Sequence, residues 1–133
     1  MNIGTAAKLS GINAKTIRYY ESVGLMPEPL RAENGYRHYQ DKDLQTLRFI
    51  HRSRNLGFTI KDIRGLLGLW QDTGRASADV REVAKRHVTE IEQKIEEMES
   101  VRQTLMQLIH QCHGDDRPDC PILEDLAGDK EDA

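Results

Sequence analysis

Apolar residues recur at helical spacing along most of the chain, and glycine, proline and asparagine interrupt the pattern at short intervals. Ile3, Ala6, Ala7 and Leu9 mark one face of a helix over 3–10, which Gly11 stops in a left-handed conformation. Asn13 is placed to cap a second helix, from Ala14 to about Ser22, which Gly24 ends with Pro27 just beyond. Two short helices joined through Ser10-Gly11-Ile12 predict a helix-turn-helix. Asn34-Gly35 predicts a two-residue type I′ hairpin, hence a small β-wing. Asp41 is the expected cap of a third helix carrying Leu44, Leu47, Phe49 and Ile50 and closing near Gly57. Thr59 and Asp62 have capping-box spacing and open a fourth helix with Ile60, Ile63, Leu66, Leu67 and Trp70 on one face. Asp72-Thr73-Gly74 breaks it.

The longest periodic stretch runs from about Ala78 to Cys112. Its apolar positions are Ala84, Val88, Ile91, Ile95, Met98, Val101, Leu105 and Leu108, close to a heptad seam. Such a helix is roughly 50 Å long at about 1.5 Å per residue. No second helix of matching length occurs in the chain, so a second copy is expected to cover the stripe and form a homodimer. The last segment, from Cys112 to Pro121, is a turn-rich loop, followed by one short helical turn from Pro121 to Leu126 and an acidic tail, Gly128 to Ala133, expected to fray. The organisation predicted is mostly α: a winged helix-turn-helix domain over 1–70, a linker and dimerisation helix over 71–111, and a loop, short helix and tail over 112–133.

Charge adds a direction to this layout. The net charge is −3, yet residues 1–70 carry 11 Lys and Arg against 6 Asp and Glu, and residues 71–133 carry 8 against 16. A basic front half suits a phosphate backbone, and an acidic rear half suits solvent or protein. No apolar run reaches the roughly 18 residues of a membrane helix, and the first residues lack the features of a secretory signal. A cytoplasmic protein with no membrane partner is expected. No Ser-His-Asp grouping, phosphate loop or carboxylate pair stands in a setting that supports catalysis, so the chain reads as no enzyme.

In the second helix Ile17 points inward, leaving Lys15, Thr16, Arg18 and Tyr19 on or near the outer face at the recognition-helix position, with Tyr20 beside them. The wing offers Arg31, Asn34, Gly35, Tyr36 and Arg37 toward phosphate oxygens and the minor-groove rim, and Arg54 and Lys61 stand at the next helix-loop-helix to clamp flanking backbone. These are the candidate contacts to double-stranded DNA.

The string Thr16-Ile17-Arg18-Tyr19-Tyr20-Glu21, then Gly24-Leu25, Asn34-Gly35-Tyr36-Arg37-His38-Tyr39 and Leu56-Gly57-Phe58-Thr59-Ile60, resembles the MerR family of bacterial regulators over nearly the whole chain. The resemblance implies a winged-helix domain, an antiparallel coiled-coil homodimer and a dyad operator inside an over-long promoter spacer. It further implies that the effector-bound dimer distorts the promoter so that RNA polymerase engages both promoter elements.

The two cysteines, Cys112 and Cys120, flank seven residues, a spacing better suited to a metal or redox site than to a cytosolic structural disulfide. Soft thiolates select soft ions, and two alone satisfy a linear monovalent ion such as Cu(I), whereas structural zinc usually takes four ligands. The loop Cys112-x7-Cys120-Pro121-Ile122-Leu123 resembles that of the copper-efflux members of the family, which implies Cu(I) as effector, with Ag(I) and Au(I) sharing the same coordination. Zinc, lead and mercury sensors of the family carry a cysteine near the start of the dimer helix, where Ser77, read as an N-cap, stands here. Two alternatives stay open: a Zn(II) site completed by His110 or His113, and a thiol-redox switch.

Overall fold

The computed structural model describes residues 1–128, so most of the tail expected to fray, residues 129–133, lies outside the described residues. In chain order the elements are α1 (Ile3–Ser10), α2 (Ala14–Ser22), β1 (Leu30–Arg31), β2 (Arg37–His38), α3 (Asp41–Asn55), α4 (Ile60–Gln71), α5 (Ser77–Gln111) and α6 (Pro121–Leu126). They divide into two compact units, Met1–Val83 and Ala84 onward. The first unit therefore runs past residue 70 to include the linker and the opening turns of α5.

In the first unit, capping sets the helix starts. Asn2 Oδ1 accepts from Thr5 N, and Asn13 Oδ1 from Thr16 N, each at 2.8 Å. Between them Gly11 has φ 78°, and a Cβ there would stand 3.3 Å from His51 Nε2. Backbone conformation and the closeness of α3 both favour glycine at this turn. α1 packs on α2 and α3, and α3 on α4. Tyr39, Ile17, Met26, Leu47, Ile50 and Ile63 are fully buried between them, the aliphatic ones each worth about 1.5–3 kcal/mol relative to exposure.

Several local expectations are corrected. Leu9, expected to face inward, is exposed, while Ser10 is buried. Ala6 and Ser10, four apart, define the buried line of α1 and Leu9 lies off it. Ser10 is satisfied there because its Oγ accepts from Ile12 N at 3.2 Å and donates to Ala7 O at 3.4 Å.

The wing pairs Leu30 with His38 and Arg31 with Arg37 in antiparallel register. Its turn is not type I′, because among the described residues only glycines have positive φ: Asn34 does not, whereas Gly35 has φ 81°. Gly35 N donates to Ala32 O, and Ala32 N to Tyr36 O, both at 2.8 Å. The loop is thus Glu33-Asn34-Gly35, a turn followed by a left-handed glycine. Asn34 Oδ1 accepts from Tyr36 N at 3.1 Å, a side-chain turn that frees Asn34 from the left-handed region.

Gln40, not Asp41, precedes α3, and Asp43 Oδ2 accepts from Gln40 N at 2.9 Å. Asp41 becomes the first helical residue, where a carboxylate suits the helix dipole. The capping box opening α4 forms as expected: Thr59 Oγ1 accepts from Asp62 N at 3.1 Å and Asp62 Oδ2 from Thr59 N at 3.4 Å. Trp70 stays partly exposed and stacks on Phe49, ring centroids 4.6 Å apart and 9° from parallel. Ser77 is the first residue of α5 rather than the residue before it.

In the second unit α5 carries the predicted stripe with little cover. Val88, Ile91, Ile95, Met98, Val101 and Leu105 are 38–67% exposed, and Leu108 alone is buried among the described residues of α5. α5 ends at Gln111, one residue before Cys112, and α6 begins at Pro121, one residue after Cys120.

Candidate nucleic-acid interface and thiol pair

α2 presents Lys15, Arg18 and Tyr19 to solvent and leaves Thr16 half-buried. Tyr20 is buried and its ring belongs to the core. The wing stands beside this helix. Arg18, Arg31, Asn34, Tyr36 and Arg37 line one cleft of about 380 Å³, with Asn2 and Ile3 from the start of α1. Five of the residues singled out in the sequence therefore converge on a single concave, basic surface. Arg31 is braced by its own loop, donating from Nη1 to Gly35 O at 2.9 Å. Gly35 itself serves the turn.

Beneath the cleft lies a buried carboxylate. Glu21, near the end of α2, accepts from Arg37 Nε at 2.9 Å and from the Tyr39 hydroxyl. Its side chain is almost wholly inaccessible, whereas that of Arg37 is 29% exposed. Burial, followed by the hydrogen bond and charge of Glu21, pushes the Tyr39 hydroxyl far above its ordinary pKa against the opposing pull of Arg37 and Arg18. The backbone of Tyr39 is also fixed: its N–H donates to Met1 O at 2.7 Å and its carbonyl accepts from the N-terminal ammonium at 2.9 Å. The sequence reading missed Glu21. Its signal was an acidic residue four positions after the inward-facing Ile17, since a carboxylate on a core face requires a partner.

The flanking cations divide. Arg54 Nη1 donates to Phe58 O at 2.9 Å and closes the loop between α3 and α4, while Lys61 is exposed in the first turn of α4. Arg64, which pattern alone did not single out, donates to Val23 O at 2.7 Å and Gly24 O at 3.3 Å, tying α4 to the end of α2.

The thiol pair lies entirely in the second unit. Both cysteines are free and half-buried. Cys112 N donates to Leu108 O at 3.0 Å, continuing the α5 ladder, and Cys120 O accepts from Glu124 N at 3.0 Å, opening α6. The ends of the two helices bring the thiols near one another, and Cys112 is one of the groups that lower the Cys120 pKa. The Cys120 side chain makes no full capping hydrogen bond. Even so, the Leu123 N–H, with Ile122 N–H and Cys112, holds its thiol below the ordinary pKa against partial desolvation and the charge of Glu124. His113 pairs with Asp119 across the loop at 3.7 Å, both side chains being exposed, and His110 is exposed in the last turn of α5. Among the described residues, no His, Cys, Asp or Glu atom joins the two sulfurs in a group of three lying within 4.8 Å of one another.

A family profile described as MerR HTH family regulatory protein matches residues 1–69, and one described as MerR, DNA binding, matches residues 44–108. The chain belongs to the MerR family. MerR proteins are DNA-binding transcription regulators rather than enzymes. Among curated relatives, this MerR chain is 53% identical over 127 residues to the heavy metal-dependent transcription regulator 2 of Rhizobium meliloti, covering 96% of this chain and 86% of the relative. It is 44% identical over 128 residues to the transcriptional regulator CueR of Escherichia coli, covering 96% and 95%. Among solved structures it resembles the transcription regulator PbrR691 of Ralstonia metallidurans in complex with lead(II). That match has TM-score 0.81 and 34% identity over 95% of this chain and 98% of the other. No helix among the described residues is long and apolar enough to cross a membrane.

Proposed function

We propose that this MerR protein is a homodimeric, Cu(I)-responsive activator that binds a dyad promoter operator and switches on metal-efflux genes by distorting the DNA when the ion is bound. The observation that carries the metal assignment is the proximity of Cys112, just after α5, and Cys120, just before α6, two soft donors with no third ligand grouped beside them among the described residues. Two sulfurs match the linear coordination of Cu(I), Ag(I) and Au(I) and fall short of the four ligands usual for structural zinc. The heavy metal-dependent relative supports a metal ion as the effector.

Lys15, Thr16, Arg18 and Tyr19 on α2, with Arg31, Asn34, Tyr36 and Arg37 on the wing, form the proposed DNA interface, and Arg54 and Lys61 extend it along the backbone; Tyr20, buried in the core, and Gly35, in the turn, support it from within. The exposed α5 stripe is the proposed dimer seam, in an antiparallel coiled coil. An ion held by both thiols orders the 112–120 loop and favours one of two dimer states that space the recognition helices differently. RNA polymerase at the promoter reads that difference, and the whole process belongs to the cytoplasm.

The test is promoter transcription with purified polymerase, supplying Cu(I) or Zn(II). Cys112→Ser should remove the Cu(I) response, and His113→Ala should leave it intact. A full Cu(I) response in Cys112→Ser would overturn the assignment. A Zn(II) response lost in His113→Ala would favour a nitrogen–sulfur zinc site, and a response to oxidant without metal would favour thiol redox control.

A further inference from the structure

Glu21 combines three features that a surface carboxylate lacks. It is buried, it lies on the helix that carries Arg18, and both its oxygens are taken by residues on or just after wing strand β2. Arg37 gives it only the Nε edge of the guanidinium. The fork of an arginine has five N–H donors, so an Nε-anchored side chain retains Nη donors for a second anion. Arg37 lines the same cleft as Arg18 and Arg31, which places those donors beside two further cations.

We propose that Glu21 is a positioning residue for DNA binding: by gripping Arg37 through Nε it holds the wing against α2 and aims the remaining guanidinium donors, with Arg18 and Arg31, at one phosphate of the DNA backbone. The proposal rests on the cleft being part of the DNA interface. A phosphate oxygen is the fitting ligand because the cleft is cationic and is shared by α2 and the wing. Arginine is preferred where planar, multidentate capture of a phosphate matters.

The sign of the effect separates positioning from plain charge. Glu21 is a negative charge close to the cleft, so by Coulomb attraction alone Glu21→Gln would tighten DNA binding. As a positioning residue it does the reverse. Glutamine has one acceptor oxygen, and its amide N–H₂ faces the second donor, so Arg37 and Tyr39 no longer share one acceptor pair.

The experiment measures equilibrium binding of the full chain to a mixed-sequence duplex across a salt series, with melting curves for every variant. Arg18→Ala should weaken binding and establishes the cleft as interface. Glu21→Gln should weaken binding about tenfold despite the added net positive charge. Arg37→Lys keeps the charge and the pairing of Glu21 but spends its single ammonium on it. It should weaken binding by a similar factor and flatten the salt dependence by about one released ion. In the Glu21→Gln background Arg37→Lys should add little, since the two act as one unit. Tighter or unchanged binding by Glu21→Gln, with Arg18→Ala weakened, would overturn the positioning role and leave the interface standing. No change in Arg18→Ala would instead remove the interface reading on which the role depends. If Glu21→Gln fails to fold, Arg37→Lys decides: unchanged affinity and salt slope would overturn the proposal.

Discussion

The two units of the molecule dispose of their apolar surface in opposite ways. In the first, Ile17, Leu47, Ile50 and Ile63 are wholly buried within one chain, and the surface left over is basic and concave. In the second, α5 repeats apolar residues over many turns and keeps nearly all of them exposed. A short-helix domain can close its own core, whereas one long helix cannot cover its own stripe. The first unit is therefore complete as a fold and needs a ligand only for function. The second leaves its stripe open, and the proposed function supplies a partner chain for the stripe and an ion for the thiols.

The sharpest way to break this contrast is at the thiols. Cys112→Ser or Cys120→Ser should abolish Cu(I)-dependent transcription while leaving binding to mixed-sequence DNA unchanged; a joint loss of DNA binding would show that the units are not separable. Next in size is Ile95→Asp on the stripe. Burying an isoleucine stabilises by about 1.5–3 kcal/mol, and a dimer has two at this position. The charged variant should sediment as a monomer, and a persistent dimer would place the seam on another face.

Truncations then compare the units directly. Ile17→Ala should cost about 2–5 kcal/mol in denaturant unfolding, because a cavity opens in a closed core. Ile95→Ala, under conditions where the chain is monomeric, should change stability by no more than about 0.5 kcal/mol. Equal costs would mean that α5 is already covered within one chain.

A smaller effect concerns acidity. The Leu123 N–H, chiefly, holds the Cys120 thiol below its ordinary pKa. Its thiolate therefore persists to lower pH in the folded protein than in the unfolded chain. Alkylation by iodoacetamide should begin at lower pH for folded Cys120, and the onset should move upward in Cys112→Ser, which removes one of the groups stabilising the thiolate. The accompanying stabilisation of the fold is fully present above the ordinary thiol pKa and fades as pH falls through the depressed value. Identical onsets in folded and denatured protein would contradict the geometry at α6. The smallest effect is expected for His113→Ala, whose ring pairs with Asp119 in solvent and should leave the Cu(I) response unchanged.

Much of the layout was legible in the chain because it depends on local chemistry. Asn13, Gly11, the Thr59–Asp62 box and Pro121 each act within a turn of their own position, and the structure shows them where the sequence placed them. The heptad spacing of α5 was equally plain. What escaped was tertiary. Asn34-Gly35 carries a hairpin signal, but which residue takes positive φ depends on how Ala32 and Tyr36 pair across the loop. Leu9 and Ser10 could not be ordered by hydrophobicity, since Ser10 is buried by satisfying its hydroxyl locally. Glu21 depends on Arg37 in wing strand β2 and on Tyr39 just after it, a pairing that no local period reveals. At the candidate site the residue types were readable, but their convergence on one cleft was not.

The most direct test of the central claim is anaerobic titration of the reduced protein with Cu(I) and, separately, with Zn(II), following stoichiometry and promoter transcription together. The account predicts one tightly held Cu(I) per thiol pair, transcription rising in step with its uptake, and no activation by Zn(II). Activation by Zn(II), or Cu(I) uptake that leaves transcription unchanged, would contradict it.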